Sequence, residues 1–182
     1  MEWLDLGPYH AVWIEGGERT AVVRPGAVGG AFQAPVSFTW QALAAAGWSV
    51  LAVHAEYDDS GESWTTRVAE AAFAVRTPDL LAGKSRGTMG AGLAPEVPAI
   101  WVTPLLDHLG VVTALKRRKA PQLLVGGTND PTWRSDVARR IPGELCELEG
   151  ADHGLTVEDD PLASVDMLRR LVEAIGAFVA RL

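Results

Sequence analysis

Short runs rich in valine, isoleucine, leucine and alanine alternate along the chain with longer stretches whose apolar residues recur at helical spacing. Ala11-Val12-Trp13-Ile14 and Ala21-Val22-Val23 flank a polar turn at Gly16-Gly17, which predicts an antiparallel hairpin. From Pro35 to Ala46 a helix is expected, with Val36, Trp40, Leu43 and Ala44 on one stripe and Gly47 as its stop. Ser49 to Val53 reads as a buried strand. Ser63 is placed to cap a helix carrying Val68, Ala71, Ala72 and Val75. Further strands are expected at Asp79–Ala82, Pro98–Val102, Gln122–Val125 and Leu145–Leu148. Helices are expected from about Leu105 to Arg118, from about Thr132 to Arg139, and from Pro161 onward. The last carries Leu162, Val165, Leu168, Val172, Ile175, Val179 and Leu182 on one face. Strands alternating with helices in this way predict an α/β fold, a three-layer α/β/α sandwich around a mainly parallel sheet of six or seven strands. A length of 182 residues suits one domain spanning the whole chain, 1–182.

Composition narrows the partners. Apolar residues make up 48% of the chain and charged residues 21%, a globular balance. The net charge of −7 argues against nucleic acid or an anionic membrane as the main partner. The one basic run, Lys116-Arg117-Arg118-Lys119, falls where a helix is expected to end, and cations suit that end of the helix dipole. The single cysteine, Cys146, excludes an internal disulfide and a multi-cysteine zinc site, and its apolar neighbours suit a packed thiol. Glu2 and Asp5 interrupt the apolar start, so no leader is read there, and no apolar run approaches the ~20 residues of a membrane helix. A cytoplasmic protein is expected; its oligomeric state is left open between monomer and homodimer.

In a sheet of this kind ligands gather at the carboxyl ends of the strands, so the residues that follow each strand carry most information. Among them are Pro25-Gly26-Ala27-Val28-Gly29-Gly30, Ser85, Asp130 and His153. Gly83-Lys84-Ser85-Arg86-Gly87 matches the Gly-x-Ser-x-Gly pattern that lifts a serine hydroxyl clear of a sheet on a tight strand-to-helix corner. A serine needs a base, and the base needs a third group to orient it. His153 and Asp130 each follow a different strand, and the order Ser85, Asp130, His153 is serine, acid, histidine. Asp107 is a substitute acid, and Asn129-Asp130-Pro131 also reads as a helix-capping turn. His54 ends a strand as well, while His10 and His108 read as surface or packing residues.

The pieces PGAVGG, GKSRGT, GGTNDP and GADHG together resemble the α/β-hydrolase superfamily, among its compact single-domain forms similar to dienelactone hydrolases. The resemblance spans about residues 20 to 155. It implies a serine hydrolase that cleaves an ester or thioester of a small molecule through an acyl-serine, with no cofactor and no metal. Carried over by position, Ser85 is the nucleophile, His153 the base and Asp130 the orienting acid. The backbone N–H groups of Arg86 and Ala27 would form the oxyanion hole, with Val28 as the neighbouring option. Pro25 stands where the superfamily often has histidine, a departure in the loop that frames the hole. Too few residues follow Thr103 for a lid, so an open site is expected.

Phe32 and Trp133 are candidates for lining an acyl pocket, and Lys84 and Arg86 for attracting an anionic substrate. The same fold also serves as a non-catalytic binding or scaffold module, the alternative reading.

Overall fold

The computed structural model describes residues 1–60 and 62–182. Its centre is an eight-stranded sheet in the order β1-β2-β4-β3-β5-β6-β7-β8. The strands are β1 (Glu2–Asp5), β2 (His10–Ile14), β3 (Thr20–Arg24), β4 (Ser49–His54), β5 (Leu80–Lys84), β6 (Ala99–Val102), β7 (Gln122–Gly127) and β8 (Glu144–Leu148). β1 and β2 run antiparallel to their neighbours; β4, β3 and β5 to β8 pair in parallel. The helices are α1 (Ala34–Ala45), α2 (Glu62–Val75), α3 (Leu109–Arg117), the one-turn α4 (Ser135–Ala138) and α5 (Pro161–Val179).

Both faces of the sheet are covered. Val36 and Leu43 of α1 and Met167, Leu171, Ile175 and Phe178 of α5 pack on one side with Val23, Ala52, Ala82 and Val125. Trp64 and Val68 of α2 and Val111 and Leu115 of α3 pack on the other with Val22, Leu51, Leu81 and Trp101. Burial on both faces is why β4 to β7 read as unbroken apolar runs.

Four expectations are corrected. The sheet has eight strands, not six or seven. The extra one, β1, is an exposed edge on which only Leu4 is half-buried, so it carries no apolar run to read. β2 and β3 do not form a hairpin, because β4 lies between them and pairs with both. The Gly16-Gly17 segment instead crosses the start of β4, where a Cβ on Gly16 would stand 2.5 Å from the Trp48 carbonyl oxygen. The hairpin partner of β2 is β1, through a turn closed by Leu6 N–H donating to the Tyr9 carbonyl (2.9 Å) with Gly7 at φ 81°.

On α5, Leu162 and Val165 are exposed. The buried stripe runs Met167, Leu171, Ile175, Phe178 and Val179. Finally, Ser63 is the second residue of α2 rather than its cap; Gly61, which precedes the helix, lies outside the described residues.

Candidate active site

β5 ends at Lys84 in extended geometry, and Ser85 then turns to φ 52°, a backbone position that side chains rarely adopt. The flanking glycines are needed for contact reasons. A Cβ on Gly83 would come 2.9 Å from the Gly87 carbonyl oxygen, and one on Gly87 would come 2.6 Å from that of Pro25. The helix after the corner is a short 3-10 helix from Ser85 to Gly90, so little helix dipole stands behind the serine. Thr88 Oγ1 donates to the Ser85 carbonyl at 2.6 Å and braces the turn.

The loops after β7 and β8 are held together before either reaches Ser85. Gly127 passes so close to Ala151 that a Cβ would stand 2.0 Å from its carbonyl oxygen. Asn129 N–H donates to that same carbonyl at 2.9 Å. Asp152 pins the second loop by accepting from Gly154 N–H (2.7 Å) and Thr156 N–H (2.8 Å).

These loops bring three of the sequence candidates into one line. His153 Nε2 lies 2.7 Å from Ser85 Oγ, and His153 Nδ1 lies 2.7 Å from Asp130 Oδ2. Asp130 is 2% exposed, and its other oxygen accepts from both the N–H and the Oγ–H of Thr132, each at 2.8 Å. Burial pushes the Asp130 carboxyl up, but the hydrogen bonds from His153 and Thr132 outweigh it and hold the group below its ordinary value. An ionised carboxylate on Nδ1 fixes the imidazole tautomer that leaves Nε2 free to accept the serine proton. The competing residues stand elsewhere. Asp107 is exposed, His54 Nδ1 accepts from Ala31 N–H (3.3 Å), and His108 caps α3.

Ser85 and His153 open on a cleft of about 280 Å³ also lined by Ala27, Val28, Gln33 and Lys84. The loop holding Ala27 is pressed against the serine: a Cβ on Gly26 would lie 3.2 Å from that of Ser85. Larger hollows, of about 730 Å³ beside α3 and about 480 Å³ beside His54, contain neither Ser85 nor His153.

Phe32 and Trp133 are not brought to this cleft. Phe32 is 49% exposed and packs against Trp3 and His54, with ring centroids 5.7 and 5.8 Å away. Trp133 is buried on Gly126, and its Nε1 donates to Glu147 Oε2 at 2.9 Å, a core position. The Arg86 guanidinium lies over the Tyr57 ring, 4.0 Å from its centroid. Lys84 is buried in the cleft wall, where desolvation holds its ammonium below the ordinary value against the pull of Asp130 and Asp152.

Sequence reasoning missed Thr132 and Gln33. Thr132 had a legible signal, since Asp-Pro-Thr is a turn in which the acid accepts from the residue two places on. Gln33 reaches the cleft only through the way the 3-10 turn at Gly30–Phe32 leads into α1, and carries no motif.

Neither a protein-family model nor a curated protein sequence matches the chain. Solved structures do. Est1E from Butyrivibrio proteoclasticus superposes with a TM-score of 0.74 over 95% of this chain and 93% of its own, at 14% identity. The chain has the α/β-hydrolase fold. Others that share the α/β-hydrolase fold include an alpha-beta serine hydrolase homologue from Coxiella burnetii, with a TM-score of 0.69 and 19% identity over 93% of this chain and 96% of that one. The Pyrococcus furiosus esterase Pf2001 gives a TM-score of 0.70 and 14% identity over 95% of this chain and 87% of its own. Identities this low establish the α/β-hydrolase architecture and leave the chemistry to the site. Among the described residues, no helix is long and apolar enough to cross a membrane.

Proposed function

We propose that this protein is a serine hydrolase that cleaves an ester or thioester of a small molecule. The observation that carries the reading is the pair of 2.7 Å contacts linking Ser85 Oγ to His153 Nε2 and His153 Nδ1 to Asp130. Esterases among the solved structures of this fold favour the same substrate class.

Ser85 Oγ attacks the carbonyl carbon while His153 Nε2 takes its proton. Negative charge gathers on the former carbonyl oxygen, which the N–H groups of Arg86 and Ala27 stabilise; one such donor is typically worth about 3 kcal/mol. The imidazolium, steadied by Asp130, returns the proton to the leaving alkoxide or thiolate. Water, deprotonated by His153, then attacks the acyl-serine and frees the acid. His153 handles every proton in the cycle, so these steps call on no metal or organic cofactor.

A fluorophosphonate probe is expected to label the protein at Ser85, and short aryl esters are expected to turn over. A folded protein that neither labels nor hydrolyses any member of an ester and thioester panel would be a binding module of the same fold, and the proposal would fall.

A further inference from the structure

Two guanidinium groups share one indole in the interior. Arg24 ends β3 and is 1% exposed; Arg118 follows α3 and is 7% exposed. Their Cζ atoms lie 5.8 and 5.1 Å from the centroid of the Trp101 ring.

Register explains the position of Arg24. It pairs with Gly83, which pairs on its other side with Trp101, so the three share one face of the sheet. Gly83 has no side chain, and the guanidinium occupies that side of the sheet next to the indole. Both cations then converge on the backbone just beyond the Ser85 turn. A Cβ on Gly90 would stand 2.0 Å from Arg24 Nη1, and the next carbonyl, of Ala91, accepts from Arg118 Nη1 at 2.6 Å. Arg118 Nη2 donates to the Val97 carbonyl.

The remaining donors are orphaned. Nε, Nη1 and Nη2 of Arg24 and Nε of Arg118 are buried with no hydrogen-bond partner. Neither residue forms an ion pair among the described residues. Burial and, second to it, the charge of Arg118 lower the Arg24 pKa to about 10, still charged at neutral pH. A buried charge with neither counter-charge nor acceptor is an arrangement that folded proteins avoid.

We propose that Arg24 and Arg118 form an internal site for a small inorganic anion of chloride size, beneath the turn that carries Ser85. The free groups are N–H donors on two cations, which select an anion over a metal. The packing of Trp101 and Gly90 around them favours a monoatomic ion over an organic acid. Neither arginine lines the Ser85 cleft, so the site stands apart from the hydrolase reading and is tested without substrate.

The test is thermal unfolding of the whole protein, dialysed into sodium gluconate and then titrated with sodium chloride at fixed ionic strength. Tm is expected to rise with the logarithm of chloride concentration, by roughly 5–10 °C once chloride exceeds its Kd a hundredfold. Arg24→Met is expected to abolish that rise. Crystals of the native protein grown in bromide are expected to show an anomalous peak between the two guanidiniums, a readout that holds even if Arg24→Met fails to fold. A Tm indifferent to chloride, a rise unchanged in Arg24→Met, or water alone at the guanidiniums in bromide crystals would overturn the proposal.

Discussion

His153 Nε2 stands 2.7 Å from Ser85 Oγ although 68 positions separate the two residues in the chain. The contact exists because β5 and β8 end on the same edge of the sheet, with β6 and β7 between them. Ser85→Ala removes the attacking oxygen and little else. Activity on short aryl esters is expected to drop by about 10⁴-fold or more, with Tm unchanged within a degree or two. Circular dichroism and an ester assay on the same preparation check both halves.

Asp130 should reveal itself in two ways. Asp130→Asn, which favours the wrong imidazole tautomer, is expected to lower kcat about 10⁴-fold. The native carboxyl sits below its ordinary value, so its contribution to stability is complete above about pH 4 and fades as pH falls through the folded-state pKa. The Tm gap between the native protein and Asp130→Asn is therefore expected to narrow on acidification. A gap that widens below pH 4 contradicts the assignment.

Thr132 is a positioning residue, since it acts on the acid and not on substrate. Thr132→Val keeps the backbone N–H donor but deletes the hydroxyl donor to Asp130 Oδ1. The Asp130 carboxyl then titrates at higher pH, and acid sensitivity of the Tm moves upward with it. A loss of about 10-fold in kcat/KM is expected, within the worth of one hydrogen bond to a charged group. A pH profile identical to that of the native protein would show that the hydroxyl is only structural.

Much of this could be read from the residues alone. β4 to β7 are buried on both faces, so their apolar runs announce themselves, and Ser85 and Asp130 each follow such a run; His153 follows the half-exposed β8. What escaped was decided by contacts distant in sequence. β1 is an exposed edge that exists only through pairing with β2. The supposed hairpin of β2 and β3 was undone because β4 inserts between them, something local turn chemistry cannot foresee. α5 carries apolar residues around more than one stripe, and only packing against α1 and the sheet selects Met167, Leu171 and Phe178, beside the expected Ile175 and Val179, over Leu162 and Val165. Trp133 follows Asp130 closely enough to suggest the cleft, yet Gly126 leaves it a seat in the core.

Gly87→Ala tests the crowding at the corner. The new Cβ would meet the Pro25 carbonyl oxygen at 2.6 Å, backbone that cannot swing aside. A loss of about 1–3 kcal/mol is expected, read as a lower urea midpoint. Gly92→Ala is the control. Its Cβ would find only the Ala114 Cβ at 3.9 Å, and no comparable loss is expected.

Lys84→Met tests the buried ammonium. Burial holds the native group below its ordinary value, so the unfolded chain keeps this proton to higher pH than the folded one. Stability of the native protein is expected to gain from this group as pH rises from the folded-state pKa toward 10.5. In Lys84→Met that gain disappears. Urea midpoints measured from neutral to alkaline pH compare the two; parallel curves would show that Lys84 is solvated.

Between β6 and β7 the chain spends its residues on α3 and on no further excursion. With no inserted segment at this connection to roof the Ser85 cleft, bulk solvent would have a short path to an acyl group on Ser85 under the proposed chemistry. A competing alcohol or amine gains no sheltered berth there. A hydrolase of the kind proposed, built this way, would release free acids and be a poor starting point for making new esters in wet solvent. Turning it toward synthesis would begin by building a canopy over the cleft, leaving Ser85, Asp130 and His153 untouched.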